Sequence, residues 1–204
     1  MEGERKNVFK VYDKIASWFS NNRDVGLIER KYLDNLIGFL PDEGSVLDLG
    51  CGTGKPILEY LLSKNLNVTG VDASGEMLKI AKSNFPKVEF ILQDMRLLNL
   101  NKRFNAIIAW HSFFHLATTE QPALFKIFEE HLRHDGILLF TSGHKNGEAW
   151  GMNGGENLFH ASLDQKDYED LLSKHNFKVL EYVVRDPDCG YATIWMAQYL
   201  PAPV

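Results

Sequence analysis

The chain has 204 residues, 45% of them hydrophobic and 24% charged, and its 27 acidic against 22 basic side chains leave a formal net charge of −5. This length suits one domain with a substantial core, and the acidic balance disfavours nucleic acid as the main partner, because such binding rests on neutralising phosphates. Cys51 and Cys189 make no disulfide framework, no apolar run reaches membrane-spanning length, and none follows Met1–Lys6 as a signal peptide requires; a cytoplasmic protein away from membranes is expected.

In chain order, Phe9, Tyr12, Ile15, Ala16 and Phe19 recur at spacings of three and four and predict a helix. The polar run Asn21-Asn22-Arg23-Asp24 breaks it, a second helix covers about Gly26–Phe39, and Pro41–Gly44 is a turn. Ser45–Leu49 is a short apolar run closed by glycines, which reads as a strand buried on both faces. Gly50, Gly52 and Gly54 then alternate before Pro56, giving strand, tight loop and helix start, the place where an open parallel sheet binds a nucleotide-like ligand. The dinucleotide pattern fails because Lys55 holds the third glycine position, and the phosphate-loop pattern fails at Leu49 and Pro56. What remains is Asp48 ahead of G-x-G-x-G, and a carboxylate suits an ammonium group better than a pyrophosphate.

A helix is predicted over Pro56–Lys64 and a second strand over Leu66–Val71, ending in Asp72. An acid about twenty residues past the glycine loop is placed to accept from two ribose hydroxyls; its competing role is N-cap of a helix over Ser74–Asn84. The third strand, Val88–Leu92, leads into Gln93-Asp94-Met95, where an acid can accept an adenine amine. Phe104–Trp110 is the fourth strand, and its tip carries His111-Ser112-Phe113-Phe114-His115 where parallel sheets keep their chemistry. The two histidines are four apart, but Ser112 replaces the Glu of H-E-x-x-H and no third ligand is evident, so no metal is expected. A helix from Thr118 or Thr119 to His131 and a turn at Arg133–Gly136 precede a fifth strand, Ile137–Thr141. Residues 142–162 read as a long glycine-rich loop with Trp150, Phe159 and His160, part of a substrate pocket. Leu163–His175 is a helix behind Asp164, and Phe177–Arg185 and Tyr191–Tyr199 are strands joined by a turn.

The run Asp48–Gly54, with Asp72 and Asp94 downstream, resembles the motifs of class I S-adenosylmethionine (SAM) dependent methyltransferases, and the likeness extends over about Val8–Tyr199. The resemblance implies an α/β fold, a Rossmann-like doubly wound seven-stranded mostly parallel sheet with a terminal antiparallel strand. It implies one domain over 1–204, with N-terminal helices (about 8–40) capping the cofactor site. It puts Asp48, Gly50, Cys51, Gly52, Thr53 and Gly54 against the methionine half of SAM, Asp72 on the ribose, and Ala73, Met77, Gln93, Asp94 and Met95 around the adenine. Tyr12 and Trp18 belong to a segment that folds over the site, and Trp110 ends the fourth strand beside it. Members of the family that it resembles often carry an acid where His111 stands; His111 is the first candidate for a proton acceptor and His115 the second. The implied reaction is methyl transfer from SAM, with S-adenosylhomocysteine (SAH) as product, to a small-molecule acceptor. The alternatives are a non-catalytic SAM-binding sensor or assembly protein, and a transferase of this fold with non-methyl chemistry. Acceptor and oligomeric state are not readable from the residues.

Overall fold

A computed structural model describes Arg5 and residues 7–201; the reading of the first residues as no signal peptide lies largely outside them. Helices α1 (Phe9–Asn22) and α2 (Arg30–Ile37) come first. Strands β1 (Ser45–Leu49), β2 (Asn67–Asp72), β3 (Glu89–Leu92) and β4 (Phe104–Ala109) follow, with α3 (Ile57–Ser63) and α4 (Gly75–Asn84) between them. Then come α5 (Gln121–His131), β5 (Leu132–Ser142), the hairpin β6 (Gly147–Asn153) and β7 (Glu156–Ser162), α6 (Gln165–Lys174), β8 (Phe177–Asp186) and β9 (Ala192–Tyr199). The main sheet has seven strands in the order β3-β2-β1-β4-β5-β9-β8, and β6-β7 form a separate two-stranded sheet. β1 to β5 pair in parallel; β9 runs antiparallel to both β5 and β8. This is the predicted α/β architecture, and the antiparallel strand is inserted between β5 and β8.

Alternation along each central strand builds two cores. In β1, Val46 faces one cluster while Leu47 and Leu49 face the other; in β4, Ala106 and Ile108 divide from Ile107 and Ala109 in the same way. A third cluster of Val8, Val11, Ala117, Leu158, Phe159 and Ala161 holds α1 against β7.

Three expectations are corrected. The 142–162 segment is a hairpin, not a loop: Gly154 and Gly155 both take positive φ (56° and 82°), the geometry of a two-residue turn whose twist suits flanking strands. β5 starts at Leu132, immediately after α5, with the expected turn residue Asp135 absorbed into the strand at φ 62° across a register shift. Finally, α5 has no Thr cap; Glu120 instead accepts from the Ala117 N–H at 3.1 Å.

Candidate functional site

The carboxyl ends of β1, β2, β3 and β4 converge beneath α1 on a cavity of about 400 Å³, within the range of small-molecule sites. Asp13 on α1 accepts from the Ser74 hydroxyl at 2.7 Å and the Glu76 N–H at 3.1 Å, which fixes α1 over the start of α4. The opposite wall is β7, held to α1 by the third apolar cluster.

The glycine loop bends back on β2: the Gly50 and Cys51 N–H groups both donate to the Val71 carbonyl. Only glycine fits at position 50, where φ is +85° and a Cβ would sit 2.2 Å from that of Ser112. Ser112 in turn donates to the Leu49 carbonyl at 2.7 Å, so the β4 tip and the glycine loop are locked together.

Asp72 is oriented rather than capping. Its oxygens accept from the Gly52 N–H and the Ser74 N–H, both at 2.8 Å, while Ser74 takes the N-cap of α4 by accepting from the Met77 N–H. Each Asp72 oxygen therefore keeps a lone pair for the cavity. Burial pushes the Asp72 carboxyl up against the opposing pull of these N–H groups. Asp48, 4% exposed, lines the same cavity and has no hydrogen-bond donor among the described residues. Burial pushes its carboxyl up to about 7, with Arg23 pulling down and Asp72 and Glu29 pushing further up. A buried carboxyl without a partner is costly, and the cavity is where its partner must come from.

Asp94 departs from expectation. It lines the cavity, but both of its oxygens accept from Arg96, through the backbone N–H at 2.9 Å, Nε at 3.0 Å and Nη2. Burial pushes Asp94 up, but the Arg96 bonds and charge outweigh it, and the carboxylate lies below its ordinary range. An adenine amine would have to share this carboxylate with Arg96.

The far half of the cavity carries aromatic and imidazole rings: Trp110, His111, Phe114, His115 and His160, with Leu158 and Met152. They touch in sequence, His111 to Phe114 at 5.6 Å between ring centroids, Phe114 to His160 at 5.3 Å, and His160 to His115 at 4.8 Å. His111 sits at the β4 tip with φ +49°, a strained conformation for a side-chain-bearing residue. Its ring is exposed to the open cavity, and desolvation by the surrounding protein, with Arg23 and His160 nearby, lowers it from its ordinary value. Desolvation holds His115 down to about 3 and also lowers His160.

The cavity thus gathers Tyr12, Asp48, Gly50, Cys51, Gly52, Gly54, Asp72, Ala73, Met77, Gln93, Asp94, Met95, Trp110, His111 and His115. Two predicted residues stay out. Trp18 is 44% exposed and packs beside Gly154, because the helical step from Tyr12 turns it away and brings Phe19 inward instead. Thr53 is buried with its carbonyl accepting from Asn84 Nδ2 at 3.1 Å. Phe19, Arg23 and Arg96 are lining residues that sequence reasoning missed. The spacing of Phe19 from Tyr12 carried a signal; Arg23 stood in a polar break that reads as a plain loop.

A family model for a methyltransferase domain matches residues 46–136. The ubiquinone/menaquinone biosynthesis C-methyltransferase of Campylobacter jejuni is 32% identical over 146 residues, 67% of this chain and 62% of the relative. The carboxy-S-adenosyl-L-methionine synthase of Nautilia profundicola is 32% identical over 143 residues, 65% of this chain and 61% of the relative. The chain spans about three fifths of the length of these two curated relatives. Among solved structures, the Burkholderia thailandensis 1,6-didemethyltoxoflavin-N1-methyltransferase, with bound 1,6-didemethyltoxoflavin and SAH, overlays with a TM-score of 0.71 at 20% identity, covering 94% of this chain and 88% of that one. At that identity the likeness speaks for the fold.

Proposed function

We propose, from the premise that this chain belongs to the class I SAM-dependent methyltransferase family, that it binds SAM and transfers its methyl group to a small-molecule acceptor. One observation carries the reading: Asp48 and Asp72 face a single cavity, neither in an ion pair among the described residues, one lacking any donor and the other held with lone pairs outward. A ligand bearing an ammonium group and a vicinal diol satisfies both carboxylates at once. SAM supplies a methyl group on a sulfonium, whose sulfur takes the bonding electron pair when the acceptor's lone pair takes the carbon.

The chain's own residues then have definable tasks. Asp48 holds the ammonium and Asp72 the ribose hydroxyls. Ala73, Met77, Gln93 and Met95 enclose the base, with Asp94 shared between it and Arg96. Arg23 sets a positive charge near Asp48 and suits the ligand's carboxylate. Trp110, His111, Phe114 and His115 wall the acceptor. Such positioning in a water-poor cavity is worth on the order of 7–11 kcal/mol where two reactants are held in line. A small acceptor agrees with the enclosure of this half by α1 and the β6–β7 hairpin. Among the described residues no helix is long and apolar enough to cross a membrane.

Calorimetric titration with SAM and SAH tests the reading. Asp72→Ala removes two charge-assisted hydrogen bonds, about 3–6 kcal/mol together, so SAH affinity should fall at least a hundredfold. Absence of SAM and SAH binding to the unaltered chain would overturn the proposal. Transfer of labelled methyl from SAM to a small-molecule extract then reads the reaction. The 32% identity to a carboxy-SAM synthase keeps non-methyl chemistry on the same cofactor as the second reading, and the mass of the product separates the two.

A further inference from the structure

Three imidazoles line the acceptor half of the cavity, and their partners leave them different groups to offer a ligand. A neutral imidazole has one N–H and one lone pair, and the bond made by one nitrogen decides what the other offers. His115 Nδ1 lies 2.8 Å from the Phe159 carbonyl. A carbonyl only accepts, so Nδ1 carries the proton, and the Nε2 lone pair is taken by the Tyr12 hydroxyl at 2.9 Å. Neither nitrogen of His115 is left for a substrate.

His111 is the opposite tautomer. Its backbone N–H donates to Thr141 Oγ1 at 2.9 Å, and that hydroxyl is fully buried. A buried hydroxyl proton needs an acceptor, and His111 Nδ1 faces it at 3.4 Å. With Nδ1 accepting, the hydrogen of His111 stands on Nε2, on a ring that lines the cavity. His160 differs again. Its Nδ1 lies 3.1 Å from the Leu158 carbonyl and so carries the proton. Its Nε2 lone pair has no partner among the described residues, and its ring borders the cavity beside Phe114 and His115.

We propose that His160 on β7 is the catalytic residue that takes the proton from the methyl acceptor, that His111 donates a hydrogen bond to that acceptor through Nε2, and that His115 is a positioning residue tying α1 to β7. The assignment rests on the methyl-transfer reading above. It names the acceptor's chemistry: an O–H, N–H or S–H group whose heteroatom has a lone pair for the methyl carbon and a proton to lose. That lone pair forms the new bond to carbon, the old carbon–sulfur pair stays on sulfur, and the heteroatom's proton passes to His160 Nε2. The single positive charge that enters with SAM leaves on the imidazolium, which then returns its proton to water. Phe114, against His160 at 5.3 Å, gives the acceptor an aromatic face.

Long-range proton–nitrogen spectra of the ¹⁵N-labelled full chain, with SAH and without, read the three tautomers directly; His111→Asn, His115→Asn and His160→Asn each remove one set of peaks for assignment. The proposal expects Nδ1–H at His160 and His115 and Nε2–H at His111. With SAM and the acceptor found in the extract, His160→Gln should lower kcat about a hundredfold or more with little change in KM, and His111→Gln should mainly raise KM. Nε2–H at His160, or a His160→Gln enzyme turning over at the normal rate, would overturn it. Failure of SAH to bind would instead strike the methyltransferase reading, since the tautomers remain measurable in the ligand-free chain.

Discussion

Asp48 sets the behaviour of the site with pH. Its carboxyl is pushed up to about 7 by burial, so below that pH it is neutral in the ligand-free protein. A cationic ammonium binds the ionised form; at lower pH a proton must leave first, and affinity falls as the ionised fraction falls. Between pH 8 and pH 6 that fraction drops about tenfold for a group of this pKa. SAH affinity should fall by about the same factor, and calorimetry in buffers of different ionisation enthalpy should show proton release at pH 6. Asp48→Asn should bind weakly at both pH values with that dependence gone; an unchanged dependence would assign it to another group. At this scale the sequence was legible wherever a residue's chemistry is fixed by a backbone motif. Asp48, Gly50, Gly52 and Asp72 follow from a strand, a loop and a second strand. Asp94 lines the cavity, but its occupation by Arg96, two residues on, depends on a side-chain fold-back that no spacing announces. The three histidines were visible, but their tautomers depend on carbonyls and a hydroxyl from β5 and β7, elements distant in sequence.

At the scale of elements, the cavity roof is a joint between α1 and the β6–β7 hairpin. The Lys14–Glu156 ion pair at 3.0 Å crosses it, but an exposed pair contributes little. Apolar contact and close backbone approach do more. Gly154 lies at φ +56°, and a Cβ there would stand 2.8 Å from Trp18 Cε3 and 3.1 Å from Ile15 Cβ. Trp18 is half-exposed and can swing aside, but Ile15 is buried and cannot. Gly154→Ala therefore combines left-handed strain of about 1–2 kcal/mol with separation of α1 from the hairpin. Hydrogen exchange should quicken in β6, β7 and α1 while β1 and β4 keep their protection, and SAH affinity should drop severalfold. Uniform quickening through the central sheet would refute a local joint. The central strands were read correctly because they are buried on both faces and spell continuous apolar runs. β6 is exposed along most of its length, so it offers neither such a run nor clean alternation, and only the Gly154-Gly155 pair signalled a turn.

For the whole molecule, the question is whether one site at the sheet's edge is coupled to both cores. Ile107 and Ile108 are adjacent in β4, fully buried, and belong to clusters on opposite faces. Truncating either to Ala removes buried methylenes and leaves a cavity, at about 2–5 kcal/mol each. The sequence shows both faces of β4 to be apolar. It does not show that β9 enters between β5 and β8, which depends on pairings made across the whole chain. Because the strands that carry the cores also end in Asp48, Asp72 and His111, a ligand bound there stabilises the fold as a unit. At a hundred times its dissociation constant SAH should add about 2.7 kcal/mol to the folded state, which at about 2–4 °C per kcal/mol for a chain of this size raises Tm by about 5–11 °C. Calorimetric melts should show a single transition in Ile107→Ala and in Ile108→Ala, each shifted upward by SAH as far as the unaltered chain, since neither residue lines the cavity. Asp72→Ala should melt near the normal temperature and gain almost nothing from SAH at the same concentration. Two separate transitions in either Ile variant would mean that the cores fold independently; an equal SAH shift in Asp72→Ala would mean that the ligand is held elsewhere than at the tip of β2.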